Sequence, residues 1–213
     1  MNLLFELFRG GIVFEVSNLK HAEIAEKSGA VALLLDMASS PLHPDGNSKE
    51  LEEILKHVRV PVLCSFRPGH FVEAEVLSEM GVWGVYADSR FEELSSKTNL
   101  SSLKNLNFPL LADINIHEDD FISTASFIPV IREESIEGIL SALEKKEEKD
   151  FAFVTGPIET VSDIALLKRM GADAIIAPLS VFEFEDSAIY LHKLVQASFY
   201  YNNTKKLAEI LEG

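Results

Sequence analysis

The chain has 213 residues, of which 47% are hydrophobic and 25% are charged, a composition typical of a globular protein rather than a disordered one. Asp and Glu number 34 against 19 Lys and Arg, and the resulting formal net charge of −15 argues against binding to nucleic acid or to an anionic membrane surface. The single cysteine, Cys64, cannot form an internal disulfide, so we expect a reducing, cytoplasmic environment.

Short apolar segments alternate along the chain with longer amphipathic ones. The short segments are nearly continuous in hydrophobicity, which is typical of strands covered on both faces of a parallel sheet. Strands are predicted at Gly11–Val16, Ala30–Leu35, Val60–Phe66, Val82–Ala87, Phe108–Ile114, Phe127–Arg132, Phe151–Thr155 and Ala174–Pro178. Helices are predicted at Leu19–Ser28, Lys49–His57, His70–Met80, Ser135–Lys146, Val161–Met170 and Ser187–Tyr201.

Three of the helix-to-strand connections share a glycine, at Gly29, Gly81 and Gly171. A glycine in the left-handed conformation directly after a helix allows the chain to turn straight into the next strand. Repetition of this unit favours a (β/α)8 (TIM) barrel, and an open doubly wound sheet, which usually has fewer strands, is the alternative. The unit after Phe108 is the weakest, because residues 115–126 leave room for only a short helix.

Both ends of the chain are predicted to add a short helix to the barrel. Leu3, Leu4, Phe5, Leu7 and Phe8 would make a helix over residues 1–9 apolar all round, so it should plug the bottom of the barrel or lie in a subunit interface. We therefore predict one domain over residues 1–213, with the barrel in 10–199 and a last helix in 200–213. No secretory signal, no membrane-spanning segment, no metal site and no bound cofactor is predicted.

The candidate site residues are the polar ones at the carboxyl ends of the strands, where barrels of this kind carry their active sites. They are Glu15, Asp36, Ser65, Arg67, Asp88, Asp113, Arg132 and Thr155. A carboxylate that points into a barrel is costly to bury without a partner, so Glu15 is either functional or part of a structural ion pair with Arg67 or Arg132.

Schiff-base and phosphate chemistry both lack their usual residues. A Schiff-base lysine belongs on a strand end, and no lysine falls within a predicted strand. In the loops after strands seven and eight, Pro157 and Pro178 have no N–H to offer a phosphate. Gly156 keeps backbone freedom there, and Ser180 is expected to cap a helix or to bind an anion. Cys64 is interpreted as a packed strand residue rather than a nucleophile.

Several stretches resemble the synthase subunit of pyridoxal 5′-phosphate synthase, the PdxS/SNZ family, the most specific being Gly-His-Phe-Val-Glu-Ala from Gly69. The similar stretches are Gly10–Val16, Ala22–Ala32, Val60–Val62, Arg67, Gly69–Leu77, Gly171–Asp173, Val181–Phe182, Tyr201–Asn203 and Leu207–Glu209. The resemblance implies a (β/α)8 barrel of the ribulose-phosphate-binding type in hexamers or dodecamers. It also implies synthesis of pyridoxal 5′-phosphate from a pentose phosphate, a triose phosphate and ammonia from a glutaminase partner.

The chain departs from that family at its catalytic positions. Glu15 stands for an aspartate on strand one, Ser65 for a lysine on strand three, and Glu134, or Ile131, for a lysine on strand six. The family's Gly-Gly after strand seven becomes Gly156-Pro157 here, and its Gly-Ser-Gly after strand eight becomes Pro178-Leu179-Ser180. The segment over residues 37–48 is shortened, and the insertion after strand six is missing.

The sequence supports three hypotheses about function. The first is a barrel that has lost the synthase chemistry and has a structural or regulatory role. The second is an enzyme with altered chemistry that acts on a small polar or phosphorylated substrate through Glu15, Arg67, Asp113 and Arg132. The third is residual synthase activity. Apolar residues near both ends, including Phe199, Tyr200 and Tyr201, predict a homo-oligomer, a hexamer before a dimer. Assembly with an active paralogue or with a glutaminase subunit is the partner hypothesis.

Overall fold

Parallel strands close into a single barrel in the order β1 to β8, which confirms the predicted (β/α)8 architecture. The computed structural model describes residues 7–37, 47–68, 70–90, 109–113, 127–146 and 151–212. The strands are β1 Ile12–Val16, β2 Ala32–Leu35, β3 Val62–Phe66, β4 Gly84–Ala87, β5 Leu110–Asp113, β6 Phe127–Arg132, β7 Phe153–Thr155 and β8 Ala174–Ala177.

Helices follow the strands on the outside of the barrel. They are α1 Leu19–Ser28, α2 Asn47–His57, α3 Phe71–Glu79, α4 Ile136–Leu143, α5 Val161–Arg169, α6 Ser187–Tyr200 and α7 Thr204–Glu212, with a 3₁₀ helix at Leu179–Glu183 between β8 and α6. Most strands start one or two residues later than predicted, because the apolar runs continue into the connections below the barrel. The short helix expected over residues 115–126 lies outside the described residues. None of the described helices is long and apolar enough to cross a membrane.

The alternation of side chains along each strand divides the core into two layers. The inner layer fills the barrel with one large side chain or more from every strand; it includes Val13, Leu34, Leu63, Tyr86, Leu111, Val130, Phe153 and Ile176. The outer layer lies between strands and helices and includes Phe14, Leu35 and Cys64. Burial raises the pKa of the Cys64 thiol, which suits the predicted packing role rather than nucleophilic chemistry.

Phe8 closes the lower end of the barrel. Its ring is fully buried and makes edge-to-face contacts with Trp83 and Phe153, at centroid distances of 5.1 and 5.2 Å. Close by, Arg9 forms an ion pair with Asp173 at 3.3 Å. The plug predicted for the N-terminal helix is therefore confirmed for Phe8, whereas Leu7 is 47% exposed. Leu3, Leu4 and Phe5 lie outside the described residues.

The predicted glycine turns are also confirmed. Gly29, Gly81 and Gly171 have φ values of 99°, 91° and 100°, the left-handed conformation that residues with a Cβ rarely adopt. These turns fix the direction in which each following strand enters the barrel. They thereby set which residues of that strand point inward at its carboxyl end.

Candidate functional site

Polar side chains occupy the upper end of the barrel, one inward position beyond the apolar inner layer. Glu15 follows Val13 by two residues, Ser65 follows Leu63, and Asp113 follows Leu111. Because inward positions recur every second residue in a strand, these side chains converge at the barrel mouth. We call the set Glu15, Asp36, Ser65, Tyr86, Asp88, Arg90, Asp113 and Arg132 the mouth network.

Asp113 is the centre of one half of this network. It is buried, and its carboxylate accepts hydrogen bonds from the Tyr86 hydroxyl, from the Ser89 amide at 2.8 Å and from Arg132 Nε at 3.2 Å. Burial raises the pKa of Asp113, while Arg132 and the donors of Ser89 and Tyr86 oppose the rise. The Tyr86 oxygen also accepts from Arg132 Nε at 3.0 Å.

Arg90 is the centre of the other half. Its guanidinium donates to Asp88 Oδ2 from Nε at 2.9 Å and to Glu15 Oε1 from Nη2 at 2.9 Å. Asp36 Oδ2 lies 3.9 Å from the same Nη2. Burial alone lowers the pKa of Arg90, but the bonds and charges of Asp88 and Glu15 outweigh that effect and raise it. Arg132 connects the two halves, since its Nη2 lies 3.6 Å from Asp88 Oδ2.

Ser65 fastens two neighbouring strand ends together. Its hydroxyl donates to Asp36 Oδ1 at 2.9 Å and accepts from the Met37 amide at 2.9 Å. The side chain is 1% exposed. The Ser65 hydroxyl is therefore engaged in hydrogen bonds with the segment that follows β2.

Sequence similarity relates this barrel to known proteins. Residues 2–102 match the model of the SOR/SNZ family. The chain is 25% identical to the pyridoxal 5′-phosphate synthase subunit PdxS of Francisella tularensis subsp. novicida (strain U112) and 26% identical to that of Francisella philomiragia subsp. philomiragia. Both matches cover 98% of this chain and 90% of the relative. The chain is therefore similar to the SOR/SNZ family over residues 2–102 and to PdxS subunits over nearly its whole length.

Neither of the two alternative ion pairs suggested for Glu15 is formed. Glu15 pairs with Arg90, not with Arg67 or Arg132. Arg67 instead turns to α3, where its Nε donates to Glu73 Oε1 at 2.9 Å and its backbone amide donates to Glu73 Oε2 at 3.2 Å. Arg67 and Glu73 are both among the positions that resemble the family, and their pairing joins the end of β3 to the first turn of α3.

The positions that the resemblance assigns to catalytic lysines hold no lysine in this barrel. Ser65 lies in the mouth network, whereas Glu134 is exposed two residues after β6 and Ile131 faces the outer layer. None of the lysines that the structure describes lies on a strand. The buried Lys168 is at the opposite end of the barrel, where its Nζ donates to the carbonyl oxygens of Ala172 and Asp173 at 2.8 and 2.9 Å.

The loops after β7 and β8 contact each other, and the loop after β7 also approaches the loop after β6. Ser180 Oγ donates to Glu159 Oε1 at 2.5 Å. The predicted capping role of Ser180 is wrong, because Pro178 occupies the N-cap of the 3₁₀ helix and Ser180 lies inside it. Gly156 has a φ of 151°, and a Cβ there would lie 2.5 Å from the Glu133 carbonyl oxygen, so this glycine permits a close approach of backbone to backbone.

Four residues of the site were not predicted from the sequence: Tyr86, Ser89, Arg90 and Glu159. Tyr86 gave one signal, a hydroxyl inside an otherwise apolar strand. Arg90 gave another, a basic residue two positions after Asp88 at a strand end. Within the described ranges, no three or more His, Cys, Asp and Glu side chains are grouped so as to hold a metal ion.

Proposed function

We propose that this chain is a PdxS-like protein of vitamin B6 metabolism that does not carry out the synthase reaction and has a structural or regulatory role. The relatives that match it almost end to end are named as subunits of pyridoxal 5′-phosphate synthase. The observation that carries the proposal is Ser65, at a position where the resemblance implies a covalent lysine. A serine cannot form a Schiff base, and this hydroxyl is already bonded to Asp36 and to the Met37 amide.

The electrostatics of the mouth support the same proposal. Arg90 and Arg132 are both bonded to carboxylates of the mouth network, which disfavours their use as phosphate ligands. Beside the loop after β8, the Glu159 carboxylate accepts a hydrogen bond from the Ser180 hydroxyl. A carboxylate at that point repels a phosphate group, whereas backbone N–H groups would attract one.

We also propose that the protein assembles with copies of itself, a hexamer being favoured over a dimer, or with an active paralogue or a glutaminase subunit in the cytoplasm. Exposed apolar side chains at the end of the chain support an interface. Phe199 is 65% exposed and Leu211 is 59% exposed. Apolar patches of this kind commonly mark contacts between proteins.

A second candidate function is an enzyme with altered chemistry at the same mouth. It is favoured by Asp113, a buried carboxyl with a raised pKa that is bonded to the Tyr86 hydroxyl, since perturbed acids of this kind cluster at active sites. Thermal-shift screening with small polar and phosphorylated compounds tests it. A saturable rise in Tm of the wild type that Asp113→Asn abolishes favours this candidate over a structural role.

A synthesis assay tests the proposed function. The purified chain is incubated with ribose 5-phosphate, glyceraldehyde 3-phosphate and an ammonium salt, and pyridoxal 5′-phosphate is measured by chromatography. The Francisella tularensis subsp. novicida PdxS subunit is the positive control under the same conditions. We expect product from the control and none above the blank from this chain. Product formed at a rate near that of the control contradicts the proposal.

A further inference from the structure

Arg90 lies across the barrel mouth on its solvent side. The side chains that it contacts are less exposed than its own: Asp88 is fully buried, Glu15 is 13% exposed and Asp36 is 22% exposed, against 39% for Arg90. The guanidinium is therefore the outermost group of this part of the mouth network. It covers three carboxylates that come from the ends of β1, β2 and β4.

The turn that carries Arg90 is itself fastened to the barrel. Ser89, its neighbour, donates its amide and its hydroxyl to Asp113 Oδ2 at 2.8 and 2.5 Å, at the end of β5. The Arg90 amide donates to Asp88 Oδ1 at 3.0 Å. Residues 88–90 thus form a strap that is bound on one side to β5 and on the other to β1.

We propose that Arg90 is a built-in occupant of the barrel mouth, an intramolecular guanidinium that neutralises Glu15, Asp36 and Asp88 and holds the mouth closed to small-molecule cations. This inference rests on the proposed function, because a strap bound across the mouth suits a barrel that turns over no substrate there. The planar fork of arginine matches carboxylates in a way that a point charge does not. Removing the Arg90 side chain should leave a site that accepts a free guanidinium.

The test uses the full chain with Arg90→Ala, and with Arg90→Gln as a second variant that keeps most of the length of the side chain. Tm is measured by differential scanning fluorimetry against increasing ethylguanidinium chloride, with ethylammonium chloride and sodium chloride at matched ionic strength. Arg169→Ala is the matched control, since Arg169 is exposed and its Nε donates to the Tyr201 carbonyl oxygen. A ligand that binds only the folded state raises Tm along a saturating curve.

We expect both Arg90 variants to have a lower Tm than the wild type. Ethylguanidinium should raise the Tm of Arg90→Ala along a saturating curve, and by more than ethylammonium does. It should not produce such a rise in the Tm of the wild type or of Arg169→Ala. Equal responses of all the proteins, equal responses to the two cations, or an unchanged Tm in Arg90→Ala overturn the inference. If Arg90→Ala does not fold, the lowered Tm and the same ranking of cations are required of Arg90→Gln.

The result of this test can be distinguished from the result of the synthesis assay that tests the proposed function. Synthesis of pyridoxal 5′-phosphate by the wild type contradicts the proposed function but leaves the comparison of cations unaffected. Conversely, a failure of ethylguanidinium to stabilise the Arg90 variants leaves the result of the synthesis assay unchanged.

Discussion

The Ser65 hydroxyl and the Asp36 carboxylate are joined by a hydrogen bond of 2.9 Å at the barrel mouth. Ser65 belongs to β3, and Asp36 directly follows β2. The Met37 amide donates to the same hydroxyl, so one side chain holds the chain that leaves the neighbouring strand. A lysine at this position would have a methylene group where the Ser65 hydroxyl now bridges two groups, so neither hydrogen bond could form.

Replacing Ser65 with alanine should therefore weaken the fold. Both hydrogen bonds are lost and the Met37 amide is left without this acceptor, so we expect the free energy of unfolding to fall by about 1 to 3 kcal/mol. Urea denaturation followed by circular dichroism measures this. Ser162→Ala, at an exposed position of α5, is the control and should change the value by less than about 0.5 kcal/mol. Equal losses in the two variants would show that the bridge is unimportant.

Asp113→Asn should be more damaging, because it removes a buried negative charge that faces Arg132. Loss of one partner from a buried ion pair costs about 3 kcal/mol or more. Asp186→Asn is the control, since Asp186 is exposed and has a φ of 54°, a conformation that asparagine tolerates well. The same denaturation experiment checks both variants. A loss for Asp113→Asn no larger than that for the control contradicts the central role of Asp113 in the network.

The pH dependence of the Asp113 contribution has a defined sign. Burial raises the pKa of Asp113 in the folded state, so the folded protein holds this proton more tightly than the unfolded chain does. The stability that this group contributes is fully present below its ordinary pKa of 3.8 and is lost as the pH rises through its folded pKa. The advantage of the wild type over Asp113→Asn should therefore shrink as the pH rises from acid to neutral. An advantage that grows over this range contradicts the raised pKa.

Gly156→Ala should destabilise the protein through a clash between two loops. The added Cβ would lie 2.5 Å from the Glu133 carbonyl oxygen at a φ of 151°, and we expect a loss of about 2 kcal/mol or more. Gly171→Ala is matched in its positive φ, but nothing lies within 4 Å of its Cβ, so only the backbone strain of about 1 to 2 kcal/mol remains. Calorimetric Tm values of the two variants provide the comparison. A larger loss at Gly171 would contradict the clash.

Light scattering after size-exclusion chromatography tests the assembly proposal. At micromolar concentration we expect a species with six times the 23.7 kDa mass of the chain. Phe199→Ser, on the exposed side of α6, should shift the distribution to smaller species because it removes apolar surface at the proposed interface. A single species near the chain mass for the wild type would contradict a homo-oligomer.

Repeating local patterns made the fold predictable. Continuous apolar runs identified the strands, and Gly29, Gly81 and Gly171 marked the turns because few other residues tolerate their φ values. Thr160 and Asp163 likewise form a reciprocal cap at the start of α5, where a helix start was predicted. These features depend on residues within a few positions of one another, which a single sequence records directly.

The partners of charged side chains were harder to predict. Arg67 pairs with Glu73, six residues further along the chain, because a local pair closes only a short loop and so costs little entropy. Glu15 forms an ion pair with Arg90, which follows β4. This contact depends on the closure of the barrel and on the path of the strap. Such pairs depend on which inward-facing positions of different strands lie at the same level along the barrel axis. Sequence spacing alone does not determine that level.

The most direct test of the central claim is a search for a covalent adduct. The chain is incubated with ribose 5-phosphate, treated with borohydride and analysed by intact mass spectrometry, alongside the Francisella tularensis subsp. novicida PdxS subunit. Borohydride fixes a Schiff base between a sugar and a lysine as a stable amine of higher mass. We expect an adduct on the relative and only the unmodified mass for this chain. A stoichiometric adduct on this chain, mapped to a lysine at the barrel mouth, would contradict the proposed loss of synthase chemistry.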